Sequence, residues 1–151
     1  MLLTGTFNRA LDEKLRIAIP KRFRDDLPCP PGSWLYVTPG TDGSLTLYTE
    51  AAFQLLGERL AQSPPTRQDV RAFSRLFYGL AQRVELDSQG RIRIPAELAT
   101  LAKLQGEVVL VGVQDHLEIW TRGDWDTYLV EQQAHFDQIA ETALGGGLTS
   151  L

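Results

Sequence analysis

Two carboxylates, Asp12 and Asp87, each stand four residues ahead of an arginine, Arg16 and Arg91, inside a motif that the chain contains twice. The first copy reads Leu11-Asp12-Glu13-Lys14-Leu15-Arg16-Ile17-Ala18-Ile19-Pro20. The second, shifted by 75 residues, reads Leu86-Asp87-Ser88-Gln89-Gly90-Arg91-Ile92-Arg93-Ile94-Pro95. Six positions coincide, as L-D-x-x-x-R-I-x-I-P. An aspartate so close to an arginine has three possible uses. It can pin a chain reversal, an exposed pair worth about 0.2–1 kcal/mol. It can orient a guanidinium so that two of its N–H groups meet a pair of acceptors, such as guanine O6 and N7 in a major groove. The two aspartates together could also share a proton as a hydrolytic dyad. The arginine in each copy argues against that last use, because a nearby cation favours the ionised carboxylate while a dyad keeps one acid protonated. The first two uses are compatible and both stay open.

Other groups offer less. Lys21, Arg22 and Arg24 follow Pro20 and read either as a solvated helix face or as holders of phosphate oxygens. The second copy has Ala96 and Glu97 where Lys21 and Arg22 stand, so the first copy is expected to supply more non-specific electrostatic affinity. His116 is expected in a loop and His135 on an amphipathic helix, neither with a suitably spaced carboxylate or cysteine, so metal or triad chemistry has little support. Cys29 is the one cysteine, which leaves no disulfide and no cysteine metal site within the chain. Trp34, Trp120 and Trp125 read as core or rim residues that need no ligand. No cofactor, metal, small-molecule substrate or catalytic activity is expected.

These residues must be held by a small unit built twice. Ile17 and Ile19 alternate with Arg16 and Ala18, and Ile92 and Ile94 with Arg91 and Arg93, which is the period of a half-buried strand. A β-like run precedes each (Thr6 to Leu11; Arg83 to Leu86), so each copy is expected to open with a hairpin. Pro20 and Pro95 suit the start of a short helix (Lys21 to Leu27; Ala96 to Leu101). An apolar run then leads to a strand ending in an aromatic residue and a threonine, Tyr48-Thr49 or Trp120-Thr121, and each threonine can cap a following helix. Between the copies, Ser63-Pro64-Pro65 breaks the chain and Thr66 can cap a helix whose Val70, Phe73, Leu76, Phe77 and Leu80 share a face; it is expected to pack one unit on the other. Gly145-Gly146-Gly147 is expected to release a disordered tail. The expected division is a first unit over 5–62, a linking helix over 63–81, a second unit over 82–143 with a C-terminal helix, and a flexible tail over 144–151.

Composition bounds the rest. A chain of 151 residues that is 43% hydrophobic can bury an ordinary core, whereas about half that length cannot build a large one alone. The longest apolar runs are too short to span a membrane, and Met1-Leu2-Leu3-Thr4-Gly5 has no leader character, so a soluble cytoplasmic protein is expected. The net charge of −4 speaks against nucleic acid until its distribution is considered. From Arg9 to Arg24 six basic residues face two acidic ones, while Glu107 to Leu151 carries eight acids and Arg122.

The repeated D-x-x-x-R, the I-x-I-P and the short basic helix resemble the AbrB-like swapped-hairpin DNA-binding domain. Two such domains in a chain of this length, each closed by a helix after an aromatic-Thr strand end, resemble the bacterial MraZ family from about Gly5 to about Ile139. The resemblance implies an α+β fold of two tandem swapped-hairpin β-barrel units related by a pseudo-twofold axis, with a linking helix and a C-terminal helix. It implies a nucleoid-associated transcriptional regulator that binds double-stranded DNA at short direct repeats upstream of its own operon, in the division and cell-wall gene cluster. It also implies closed homo-oligomeric rings. By the resemblance the DNA-facing residues are Lys14, Arg16, Arg91 and Arg93 on the hairpins, with Lys21, Arg22 and Arg24 beside them and Asp12 and Asp87 orienting the arginines. The alternative is an AbrB-like antitoxin that binds a toxin partner as well as DNA. One departure stands out: Leu15 precedes Arg16, where Gly90 precedes Arg91. A wider first loop is expected, or a Leu15 that contacts a neighbouring subunit or a thymine methyl.

Overall fold

In the computed structural model, which describes residues 1–27 and 34–149, the element order of the first copy recurs in the second. The first copy is β1 (Thr6–Ala10), β2 (Arg16–Ala18), α1 (Lys21–Asp26), β3 (Leu35–Pro39), β4 (Leu45–Thr49) and α2 (Glu50–Ala61). After α3 (Gln68–Leu80), the second copy is β5 (Gln82–Val84), β6 (Arg91–Arg93), α4 (Ala96–Leu101), β7 (Glu107–Val113), β8 (His116–Thr121) and α5 (Arg122–Gln133); α6 (Phe136–Thr149) follows. Cys29 and residues 150–151 of the expected tail lie outside the described residues.

The alternating isoleucines do what their period demands. Ile17, Ile19, Ile92 and Ile94 are buried, while Arg16 and Arg91 are half-buried and Arg93 is exposed. Burying each such side chain contributes roughly 1.5–3 kcal/mol. They enter a single core with Phe23, Leu35, Leu47, Leu98, Leu110 and Ile119, drawn from both copies. The pairing explains why. A six-stranded antiparallel sheet runs β1-β7-β8-β4-β3-β5, and β2 and β6 form a separate two-stranded ribbon. The opening strand of each copy therefore pairs with the third strand of the other, β1 with β7 and β5 with β3. Neither copy could bury its isoleucines without its mate.

This corrects the expectation of an opening hairpin within each copy. The chain does reverse between β1 and β2, closed by Asp12 N–H donating to Arg16 O at 3.1 Å, but neither strand ladders with the other. Local alternation identifies a strand without identifying its partner.

Three helical expectations also change. α3 packs back on β3, and its Phe77 stacks on Phe53 of α2 (ring centroids 5.8 Å apart), so it docks on the first copy in place of bridging to the second. Its N-cap is Arg67 without a side-chain cap bond, so Thr66 does not perform that task, whereas Thr49 and Thr121 accept from Ala52 N–H and Asp124 N–H as expected. The C-terminal region is two helices broken at Ala134 and His135, and the second continues through the glycine triplet to Thr149, so 144–149 are helical. Glycine costs a helix about 1 kcal/mol per residue, but extending an existing helix fixes one residue per hydrogen bond gained, and the run from Phe136 to Leu144 supplies the nucleus.

Candidate nucleic-acid interface

The Asp12–Leu15 and Asp87–Gly90 turns are built by the same bonds. Leu15 N–H donates to Asp12 O and Gly90 N–H to Asp87 O, both at 3.0 Å. Asp12 Oδ1 accepts from the Lys14 and Arg16 N–H groups at 2.9 and 2.8 Å, and Asp87 Oδ1 from those of Gln89 and Arg91 at 2.8 and 2.9 Å. Asp12 Oδ2 takes Arg16 Nε at 2.7 Å, and Asp87 Oδ2 takes Arg91 Nε at 2.8 Å. One oxygen of each aspartate thus shapes the turn while the other aims the guanidinium. Both carboxyls are held below the usual carboxylate range, first by the backbone N–H of the arginine and also by its side chain. Because the aspartate engages Nε, the two Nη nitrogens remain for other acceptors, and the arginine side chains are 28% and 27% exposed.

Each turn is tied to the other copy. Ile94 N–H donates to Leu15 O at 2.8 Å, and Ile19 N–H to Gly90 O at 2.9 Å. In the ribbon Arg16 lies opposite Arg93, Ile17 opposite Ile92, and Ala18 opposite Arg91. With both isoleucines buried, the alternation puts Arg16, Arg91 and Arg93 together on the outer face. Lys14 is exposed on the first turn.

Leu15 does not widen its turn. It takes φ +61°, beside φ +75° at Gly90, and both turns close identically. The strain is matched by packing: Leu15 lies against the shared core and lines a hollow with Ala99, the residue 75 positions after Arg24. Over Gly90 the arrangement inverts. The Arg24 side chain occupies that space, its Nε donating to Ile19 O at 3.1 Å. A large turn residue faces a small helix residue at one end of the ribbon, and a small one faces a large one at the other. Comparing the repeats at helix positions as well as at the motif would have exposed this exchange.

The helix cations already have partners: Lys21 Nζ meets Asp25 at 3.0 Å and Arg22 donates to Thr4 Oγ1 at 2.7 Å. Lys21, Arg22 and Arg24 all remain exposed beside the ribbon.

The histidine expectations need correction. His116 begins β8, with Nδ1 2.7 Å from Asp115 and Nε2 3.9 Å from Glu118. Glu118 and then Asp115 raise its pKa, and burial together with the same two charges pushes the Tyr48 phenol up to about 12. His135 lies in the turn between α5 and α6. Among the described residues no group of three or more His, Cys, Asp or Glu side chains could hold a metal ion. Trp120 is buried under Trp125 and Tyr128 of α5, and Trp34 is half-buried under Arg83, whose guanidinium lies 4.6 Å from its ring.

No helix among the described residues is long and apolar enough to cross a membrane. The family model "MraZ protein, putative antitoxin-like" matches the chain twice, over residues 2–76 and 77–146. A protein named transcriptional regulator MraZ from Lactiplantibacillus plantarum is 42% identical over 140 residues, covering 93% of this chain and 96% of its own. Proteins of the same name from Pediococcus pentosaceus and Alkaliphilus oremlandii are 40% identical over 147 and 139 residues, covering 97% and 92% of this chain and 100% and 94% of theirs. The two matched segments divide the chain between its copies of the Asp–Arg motif, and the relatives align over nearly their whole length: the chain belongs to the MraZ family.

Proposed function

We propose that this chain is a transcriptional regulator that binds double-stranded DNA through the β2–β6 ribbon and its two flanking turns, without catalysis, cofactor or metal. The observation that carries this reading is the pair of aspartate-oriented arginines, Arg16 and Arg91, set with Arg93 on one outer face. An arginine fixed through Nε offers its Nη pair in a defined direction, as bidentate reading of guanine requires. Lys14, Lys21, Arg22 and Arg24 supply phosphate contacts, which set affinity and register without carrying sequence. The relatives' printed name supports the same reading.

One ribbon reaches only a few base pairs, so useful affinity comes from several subunits on repeated sites. We take these to be short direct repeats ahead of the protein's own operon, in the division and cell-wall cluster, bound by a closed ring in the cytoplasm at the nucleoid. Val130, Phe136 and Leu144 of the C-terminal helices and Leu76 of α3 are exposed apolar residues that such an assembly would cover. The same surface favours a second reading, an antitoxin-like protein that uses its helical arm to hold a toxin. The test is a gel shift at low salt with DNA from ahead of its own gene, alongside size-exclusion chromatography. A retarded complex formed by a multimer is expected. A multimer that leaves this DNA unshifted removes the regulator reading and favours the second.

A further inference from the structure

The ribbon is built on a pseudo-twofold whose centre is the Ile17–Ile92 pair, with each residue of the first copy mapped onto the one 75 positions later. A true twofold would present the same chemistry at both ends and would bind an element equally well in either direction. Besides the exchange of Lys21 and Arg22 for Ala96 and Glu97 on the helices, three departures break it at the ribbon and its turns. Ala18 stands where the second copy has Arg93. Glu13 and Lys14 tip the first turn where Ser88 and Gln89 tip the second. Arg24 covers the second turn, whereas its mate Ala99 leaves a hollow of about 350 Å³ beside the first, lined also by Leu15 and Leu104.

Taken by position, the departures give the two ends different characters. At the Asp12–Leu15 end Arg16 has Arg93 directly opposite it in the ladder, Glu13 and Lys14 project from the turn, and behind lies an open hollow lined by Leu15, Ala99, Leu104 and Lys103 in place of a guanidinium packed on the turn. At the Asp87–Gly90 end Arg91 has Ala18 opposite it, the turn tip is uncharged, and the Arg24 guanidinium lies behind. Turning a bound DNA element end for end would move a bidentate partner from an arginine to an alanine. A contact of that kind made or lost changes affinity by roughly ten-fold or more.

We infer that the ribbon binds its DNA element in one direction only, and that Arg24 and the Ala18/Arg93 difference are the determinants of that direction. The inference rests on the DNA-binding reading above. It adds that one chain confers a polarity on its site despite its internal symmetry.

The test is affinity cleavage. Iron–EDTA is attached to a cysteine introduced at Asp26, an exposed residue of α1, in a protein that also carries Cys29→Ser. The probe is a duplex with a single protected element from the DNA ahead of the protein's own gene, centred between random flanks. The expected result is cutting confined to one flank. In Ala18→Arg combined with Arg24→Ala, the two ends become alike at the arginine ladder and behind the turns, and cutting is expected on both flanks with the duplex still retarded. Arg93→Ala, which equalises the ladder from the other side, should weaken the same preference and serves if the double variant melts early. Equal cutting on both flanks by the protein without ribbon substitutions overturns the inference, as does one-flank cutting that persists in the folded variants. A labelled protein that retards neither this duplex nor one carrying the full set of repeats instead removes the DNA-binding reading, a result distinct from a bound protein that cuts symmetrically.

Discussion

The guanidinium carbon of Arg24 lies 2.7 Å from the position that a Cβ on Gly90 would take, so a helix of the first copy crowds a turn of the second. Gly90 also holds φ +75°, where an L side chain costs about 1–2 kcal/mol. Gly90→Ala is therefore expected to destabilise the fold in urea unfolding by more than that strain alone, about 2–3 kcal/mol. In an Arg24→Ala background the same change should cost less, because the crowding disappears and only the backbone strain remains. Equal costs in the two backgrounds would show that the side chain moves aside freely.

Arg91 separates recognition from folding. Its side chain is paired only at the surface, so Arg91→Ala should leave the assembly and thermal melt nearly unchanged. Discrimination between an intact repeat and one mutated at the contacted base should fall by about 1–3 kcal/mol. A variant that unfolds, or that discriminates as before, would assign the Asp87–Arg91 pair to the fold alone.

How much of this was readable beforehand depends on the range of the interaction involved. The aspartate–arginine bonds and the threonine caps span three or four residues, and the motif spacing made them legible. The partner of β1 was not, because Thr6 pairs with Val111 and nothing in the local alternation of a five-residue strand names a mate so distant. Leu15 illustrates an intermediate case. Its left-handed backbone was the reason to expect an altered loop, yet the room for its side chain comes from Ala99 on another element. The loop placement expected for His116 fails for a related reason: its acids are near neighbours in sequence, but their convergence depends on where β8 starts, which local sequence does not fix.

Salt dependence tests how an acidic chain acquires affinity for a polyanion. If Lys14, Lys21, Arg22 and Arg24 neutralise phosphates, log K should fall with log[salt] by about 0.9 for each contact. Lys21→Ala and Arg22→Ala should each lower binding to operator and random DNA alike and make the slope shallower by about 1. A slope near zero for the unsubstituted protein would exclude phosphate contacts as the source of binding.

His116 gives the fold a pH response of definite sign. Glu118 and Asp115 raise its folded pKa above 6.5, so protonation favours the folded state. The contribution is fully present below pH 6.5 and is lost as pH climbs past 6.5 and through the raised value. Burial of the imidazole opposes its protonation and limits the contribution. Thermal melts from about pH 6 to about pH 8 should therefore show a declining melting temperature. His116→Gln should remove that decline without abolishing folding. An unchanged pH dependence in the variant would move the response to other groups.

Spacing along the DNA tests the proposed assembly. A single ribbon presents Arg16, Arg91 and Arg93 to one short element, and a second subunit in a ring presents the same set at a fixed interval. DNA returns the same groove face once per helical turn of about 10–10.5 base pairs, so direct repeats at that interval should bind far more tightly than one repeat. Inserting about 5 base pairs carries the second element to the far side of the duplex, and most of the avidity should disappear. The gain is reduced by the bending needed to lay several repeats along a closed ring, so affinity should rise less than multiplicatively with repeat number. Titrations of one, two and three repeats, with and without the half-turn insertion, read these terms separately. If one repeat binds as tightly as three, or the insertion has no effect, each site is served by a lone subunit and the ring plays no part in recognition.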